Sequence, residues 1–296
     1  VKKYGQKLVE EGGLSVITSL DYQIQDFAQK AVFENIEDLT DYHVTNGAAL
    51  VTNPGTGEIL AMVGSINYFD NSIDGNVNVV LSLRQPGSSI KPINYAVGLI
   101  KGYTAATPFI DSPICFPTQD GKNYCPVNYD GNWHGVVQMR YALGNSINIP
   151  AVKMLKLNGI QSMIATAGAM GITSFNDPDR YGLSLTLGGG EVTMLEIAKT
   201  YGVFANQGYR INLHPILKIT DNRGKVLEEY KTLPFAERWL QRKFGAKSNF
   251  ALRELNQFGI IHQFPPLVET SKGIVTQAEH SILIDEEGEV IVLTKL

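Results

Sequence analysis

Ser88 and Lys91 stand three positions apart in Arg84-Gln85-Pro86-Gly87-Ser88-Ser89-Ile90-Lys91-Pro92, the stretch of this chain best suited to chemistry. A bare Ser-x-x-Lys is common. Here it follows a Pro-Gly turn and opens an apolar stripe at helical spacing: Ile93, Tyr95, Ala96, Leu99 and Ile100. Ser88 is therefore expected at a helix N-terminus, with Lys91 one turn on and the positive end of the helix dipole close by. A serine hydroxyl is a poor nucleophile until a base takes its proton. A lysine becomes that base when its pKa is pushed down. The pair suits acyl transfer through a seryl intermediate, provided that partners exist elsewhere. Ser146-Ile147-Asn148 offers them. A second hydroxyl can relay a proton between the lysine and a leaving amine, and the Asn148 amide can bind a substrate amide while orienting the lysine.

Ser-x-x-Lys and Ser-x-Asn are two of the three motifs of one group of serine acyltransferases, the third being Lys-Thr-Gly. In this order and with these flanks they resemble the transpeptidase domain of class A penicillin-binding proteins. Other stretches carry the resemblance: Gly13-Leu14-Ser15-Val16-Ile17-Thr18-Ser19-Leu20-Asp21 with Gln25, Asn53-Pro54-Gly55-Thr56-Gly57-Glu58-Ile59-Leu60-Ala61-Met62-Val63-Gly64, Leu185-Thr186-Leu187-Gly188-Gly189-Gly190-Glu191-Val192-Thr193, and Tyr201-Gly202-Val203-Phe204-Ala205-Asn206-Gln207-Gly208. It runs over residues 12–228. The resemblance implies an α/β chain of the α+β type. Helices would pack on an antiparallel sheet, as in penicillin-binding proteins and serine β-lactamases, with the nucleophile helix buried between. It also implies D,D-transpeptidation. Ser88 would attack the D-Ala-D-Ala bond of a peptidoglycan stem peptide, release D-Ala, and pass the acyl group to an amine on a neighbouring stem. Ser88, Lys91 and Ser146 would be catalytic and Asn148 substrate-binding, with no cofactor and no metal. β-Lactams would acylate the same serine. The setting implied is extracytoplasmic, in the periplasm or on the outer face of the cell membrane. A β-lactamase reading is weaker: Ser146-Ile147-Asn148 lacks the aspartate typical of class A lactamases, and no deacylating glutamate stands out, so an acyl-enzyme should persist.

The chain departs from the family at the third motif. Lys199-Thr200-Tyr201 falls in a helical pattern, Lys231-Thr232-Leu233 begins a different segment, and Ser271-Lys272-Gly273 precedes a strand pattern without matching the triplet. In the family that strand supplies half of the oxyanion hole and binds the substrate carboxylate. An oxyanion donor is typically worth ~3 kcal/mol, or roughly a hundred- to a thousandfold in rate, so turnover is expected to be impaired.

The tail has a different likeness. From Thr232-Leu233-Pro234-Phe235-Ala236-Glu237-Arg238-Trp239-Leu240 through Phe264-Pro265-Pro266-Leu267-Val268-Glu269 and Gly273-Ile274-Val275-Thr276-Gln277-Ala278-Glu279-His280-Ser281, it resembles the end of a type II methionine aminopeptidase. Only Glu279 carries over from that family's five metal ligands. One carboxylate cannot hold a divalent ion that needs several protein donors. The expected division is a C-terminally incomplete transpeptidase-like domain over residues 1–230 and an aminopeptidase-like segment over 231–296, together a chimera. A metallo-aminopeptidase fragment and a non-catalytic fusion are the alternatives to an acyl-transfer enzyme.

At 296 residues, with 44% hydrophobic and 18% charged residues, the chain can bury a substantial core. A net charge of −4 offers no footprint for nucleic acid. No apolar run reaches the length of a membrane span, no signal peptide opens the chain, and the family's anchor and glycan-polymerising domain are expected to be absent. Cys115 and Cys125 bracket a loop rich in turn formers. An oxidising compartment would close it with a disulfide, a reducing one would leave two thiols, and the spacing is not that of a zinc site. His134, beside Trp133, reads as a loop or groove residue, since Lys91 already fills the role of base. Gly188-Gly189-Gly190 is not a phosphate loop, because no Lys-Ser/Thr comes after it.

The elements that must position these residues are legible in outline. Helices are expected over 22–35 with Asp21 as N-cap, from Ser88, from Met139, and over 148–157, 162–170 and 193–205. Hairpins are expected over 48–65 and 215–228. The tail should form helices over 234–244 and 249–258 and a hairpin over 273–294.

Overall fold

The computed structural model describes residues 1–118, 121–229, 282–284 and 290–292. The chain divides into two units, Val1–Glu228 and Glu229–Leu296. The first is an α+β body of small antiparallel sheets and packed helices. It begins with α1 (Gln6–Glu11) and β1 (Ser15–Thr18), and β1 pairs antiparallel with the much later β8 (Ile216–Thr220). The strand β9 (Val226–Glu229) completes that sheet in the order β1-β8-β9.

Helix α2 (Tyr22–Asp38) starts where Asp21 accepts the backbone N–H groups of Gln23 and Ile24, as the sequence leads one to expect. It lies on the hairpin of β2 (Ala49–Thr52) and β3 (Ile59–Val63), sharing a small core of Ala28, Ala61 and Val63. Gln25 clips the helix to β3: its side chain accepts from the Met62 N–H at 2.8 Å and donates to the Met62 carbonyl at 3.3 Å.

The centre is α3 (Lys91–Ile100), entered from a 3₁₀ turn at Gly87–Ile90 and started by a proline in its first turn. It is buried on most sides. Ile90 and Ile93 join one core with Leu155, Met163, Ile172 and Leu185, while Tyr95 joins another with Phe109, Met139, Ile147 and Met154. Around it come β4 (Pro108–Asp111), the short pair β5 (Phe116–Pro117) and β6 (Asn123–Tyr124), then β7 (Gly135–Gln138), α4 (Met139–Gly144), α5 (Asn148–Asn158), α6 (Ile160–Met170) and α7 (Met194–Ala205). β4 and β7 pair antiparallel with Phe109 opposite Val137. Buried amides fasten α3 to α5. Asn94 Nδ2 donates to the Ala151 carbonyl at 2.8 Å and to Thr186 Oγ1 at 2.9 Å, and Asn158 Nδ2 donates back to the Asn94 carbonyl at 2.7 Å. Side-chain partners with one fixed arrangement set the register of two helices more sharply than apolar contact does.

In the second unit, β10 (Ile282–Ile284) and β11 (Val290–Val292) pair antiparallel. The two helices expected in the tail, and Glu279, lie outside the described residues. Among the described residues no helix is long and apolar enough to cross a membrane.

Candidate active site

Ser88 and Ser89 sit side by side, yet only one is free to react. Ser89 Oγ donates to the Pro86 carbonyl at 2.7 Å, and the Ser89 carbonyl accepts from the Tyr201 hydroxyl at 2.9 Å. Ser88 is exposed, and among the described residues its hydroxyl makes no hydrogen bond. The turn is pinned from behind. Arg84 and Val192 exchange both backbone hydrogen bonds at 2.9 Å, which carries the Gly188–Gly190 run against it. Gly188 has φ +92°, and a Cβ there would lie 2.3 Å from the Gly87 nitrogen. Gly87 itself has φ +58°. Two glycines thus let backbone pack on backbone directly before the nucleophile. Sequence reading excluded a phosphate loop at these glycines but did not foresee this contact; their proximity in space has no sequence signal.

Lys91 is 1% exposed and its Nζ meets three oxygens. It donates to the Ser146 carbonyl at 2.6 Å, to Ser146 Oγ at 3.1 Å and to Asn148 Oδ1 at 2.7 Å. The structure therefore brings Lys91, Ser146 and Asn148 together. All three of its hydrogen bonds go to the second motif, a convergence that residue spacing around Ser88 does not announce. The 3₁₀ turn, in which residues three apart eclipse, still puts Ser88 and Lys91 on one face. Burial pushes the Lys91 amine down to about 8, from the usual 10.5.

Ser146 reaches this point through a helix terminus. Its φ is +53°, in the left-handed region. Its N–H bonds to the Leu143 carbonyl and that of Ile147 to the Ala142 carbonyl, both within the end of α4. This is the pair of bonds of a Schellman cap, with serine where glycine is usual. A left-handed non-glycine residue costs on the order of 1–2 kcal/mol, and the cap and the Lys91 contacts hold it there. The next helix, α5, begins at Asn148 without a side-chain cap from Ile147. Asn148 Nδ2 donates to the Val127 carbonyl at 2.8 Å, which turns its oxygen toward Lys91.

Cys115 and Cys125 form a disulfide, which resolves the two readings of that pair. His134 belongs to the loop after it, with Nδ1 2.7 Å from Asp111 Oδ2. Lys199 and Thr200 lie inside α7, and Thr200 donates to the Glu196 carbonyl four residues back, so that pair is plain helix. The other two candidates for the third motif lie outside the described residues. Among the described residues no group of three or more His, Cys, Asp and Glu side chains could hold a metal ion.

An exposed serine at a helix start, a buried lysine one turn on, and a Ser-x-Asn turn closing over that lysine define the serine acyltransferases that use lysine in place of histidine. Comparison with known proteins narrows the class. The chain belongs to the family described as Penicillin binding protein transpeptidase domain, whose model matches residues 47–243, ending inside the segment 231–296. It is 35% identical over 193 residues to penicillin-binding protein 1A of Neisseria flavescens, covering 64% of this chain and 24% of that protein. Against penicillin-binding protein 1B of Vibrio cholerae it is 30% identical over 262 residues, covering 87% and 33%. The chain thus spans about a quarter to a third of the length of these relatives. Among solved structures, penicillin-binding protein 1A from Haemophilus influenzae superposes with a TM-score of 0.70 at 24% identity, covering 78% of this chain and 48% of that one. PonA1 from Mycobacterium tuberculosis gives 0.64 at 22% identity, covering 78% and 60%. These likenesses show the shared fold.

Proposed function

We propose that this chain acts as a serine D,D-transpeptidase-type domain on peptidoglycan stem peptides, outside the cytoplasm, and is acylated by β-lactams at Ser88. The convergence of Lys91 Nζ on Ser146 and Asn148 beside an unengaged Ser88 is the observation that carries the reading. The disulfide suits an oxidising compartment.

In this mechanism neutral Lys91 takes the proton from Ser88 as Oγ attacks the carbonyl of the D-Ala-D-Ala bond. A tetrahedral oxyanion forms, with the Ser88 N–H as one donor. The C–N bond breaks, and the leaving D-Ala amine receives a proton relayed from Lys91 through Ser146 Oγ. Asn148 binds the peptide amide and keeps the lysine oriented. An amine from a second stem then attacks the ester, and the same groups run in reverse to free Ser88. A β-lactam undergoes the first half: its carbonyl is attacked, the ring C–N bond opens, and the ring nitrogen is protonated. The sequence holds no Lys-Thr-Gly triplet, which leaves the second oxyanion donor without an assigned residue, and slowed turnover is the expected consequence.

The tail over residues 231–296 is proposed as a segment akin to the C-terminal part of a methionine aminopeptidase, joined to the transpeptidase-like domain in a fusion. Its only carried-over ligand, Glu279, gives no basis for metal chemistry.

Intact-protein mass after incubation with a β-lactam, run beside Ser88→Ala, tests the function. A stable adduct on the parent and none on the variant is expected. A folded parent that takes no adduct would overturn it.

A further inference from the structure

Outside the acyl-transfer groups, one polar cluster is built around a carboxylate that the mechanism does not use. Asp111, at the end of β4, is 0% exposed. A buried carboxylate is costly unless donors surround it. Asn128 Nδ2 lies 3.0 and 2.8 Å from its two oxygens, and the His134 backbone N–H and ring Nδ1 reach Oδ2 at 2.9 and 2.7 Å. Asn128, 4% exposed, also donates to the Asn132 carbonyl at 2.8 Å. With its nitrogen committed to these acceptors, the Asn128 amide has one orientation, and its oxygen must point the other way.

That oxygen points at the active site. Asn128 Oδ1 accepts the Asn148 N–H at 3.0 Å and the Ile149 N–H at 3.4 Å. These are first-turn donors of α5, which Ile147 leaves uncapped. Asn128 is thus an N-cap supplied from 20 residues upstream. Its neighbour Val127 offers the carbonyl that orients the Asn148 side chain toward Lys91. The disulfide joins the chain just after Asp111 to the chain just before Val127 and Asn128, closing the loop that brings them together.

We propose that Asp111, Asn128 and His134 form a positioning unit that clamps the Ser146–Asn148 turn over the Lys91 amine. It rests on the acyl-transfer reading above. Asp111 fixes the Asn128 amide, Asn128 caps α5, and α5 presents Asn148 to the lysine. His134 holds Asp111 from the solvent side, with its own Nε2 3.3 Å from Asp130 Oδ2. Its hydrogen bond to Asp111, and next to that the charge of Asp130, raise the His134 pKa above its ordinary value against its residual desolvation. Lys153 of α5 also reaches β4, its Nζ donating to the carbonyl of Ile110, the residue before Asp111.

A clamp of this kind keeps water from Lys91, so loosening it should let the amine titrate closer to a free lysine. A structural role alone would lower the folded fraction and leave that titration in place. The experiment is a ¹³C NMR titration of the Lys91 ε-methylene in the full 296-residue chain, which needs no substrate. The parent should titrate near 8. Asn128→Ala should move the midpoint up by about one unit, a tenfold drop in free amine at neutral pH. His134→Ala should move it the same way by less. His134→Asn, whose side-chain amide can occupy the place of ring Nδ1, should restore most of the parent value. If the histidine acted by charge alone, Asn would behave as Ala.

Midpoints in Asn128→Ala and His134→Ala that stay within about 0.2 units of the parent, or fall, overturn the proposal. If Asn128→Ala does not fold, the exposed His134 pair decides alone by the same criterion. The two readings fail separately. A parent whose Lys91 titrates near 8 but takes no β-lactam overturns the acyl-transfer function and leaves the clamp intact. An acylating parent with unmoved variants overturns the clamp.

Discussion

Acylation of Ser88 should track the titration of one buried amine. With Lys91 pushed down to about 8, its free-base form makes up about 1% at pH 6, about 10% at pH 7, half at pH 8 and about 90% at pH 9. The second-order rate of acylation by a β-lactam should therefore climb about tenfold from pH 6 to pH 7, bend near pH 8, and level off above pH 9. A lysine at its usual 10.5 would hold only about 0.03% free base at pH 7, and its profile would still be rising at pH 10. Burial thus raises the working base at neutral pH by about 300-fold. The fold bears the corresponding cost. Below pH 8 the folded chain holds a disfavoured ammonium, worth about 2 kcal/mol of lost stability once residual solvent screening is allowed for. Between pH 8 and 10.5 the unfolded chain binds more protons than the folded one, so this group's penalty is relieved as pH rises across that window. The assay is the rate of adduct formation by mass spectrometry from pH 6 to pH 10, with circular dichroism confirming a folded chain at each point. Lys91→Arg, which cannot give up its proton, should acylate poorly throughout. A flat profile between pH 6 and pH 9, or a midpoint near 10, would refute the assignment of Lys91 as the base.

The packing leads to three further outcomes. Gly188→Ala should destabilise by about 2–4 kcal/mol in chemical denaturation and slow acylation at least tenfold, because its Cβ would meet the Gly87 backbone at 2.3 Å. Gly102→Ala is the matched control: φ is +93° with nothing within 4 Å, so only the left-handed penalty of about 1 kcal/mol applies. Glu196→Gln should cost about 2 kcal/mol at neutral pH. Desolvation opposes the charge of Glu196, but donors from Ser174, Thr193 and Thr173 outweigh it and lower the carboxyl to about 2. The stabilisation is complete above the ordinary value of 4.5 and is lost as pH falls toward 2, so parent and variant melting curves should converge on acidification. Tyr95→Phe should leave the chain as stable or up to about 1 kcal/mol more so in urea, since the Tyr95 hydroxyl is buried with no hydrogen-bond partner among the described residues.

Much of the local structure is readable along the chain. Asp21 before a 3.6-residue stripe marks the start of α2, and Asn-Pro-Gly-Thr-Gly marks the turn between β2 and β3. Helices at Met139, Asn148 and 194–205 agree with the apolar spacing. The elements that escaped are those whose signal is not local. Ser15–Thr18 is four exposed residues without alternation, and it becomes a strand only because residues 216–220, some two hundred positions later, pair with it. β4 and β7 are likewise short, and their pairing across a disulfide-closed loop has no periodicity to announce it.

The same division runs through the site. Ser88, Lys91, Ser146 and Asn148 are chosen by residue type and spacing, since a nucleophile, a base and a relay are properties of side chains and motif order survives in the linear chain. Which of two adjacent serines is free, why Lys91 sits near 8 rather than 10.5, and what holds Asn148 in place depend on burial and on contacts between distant segments. Pro86 ties back Ser89, the neighbours packed around α3 strip water from Lys91, and Asp111 aims the Asn128 amide at α5. Desolvation and amide orientation are collective properties of packed neighbours. They exist only once the chain has folded.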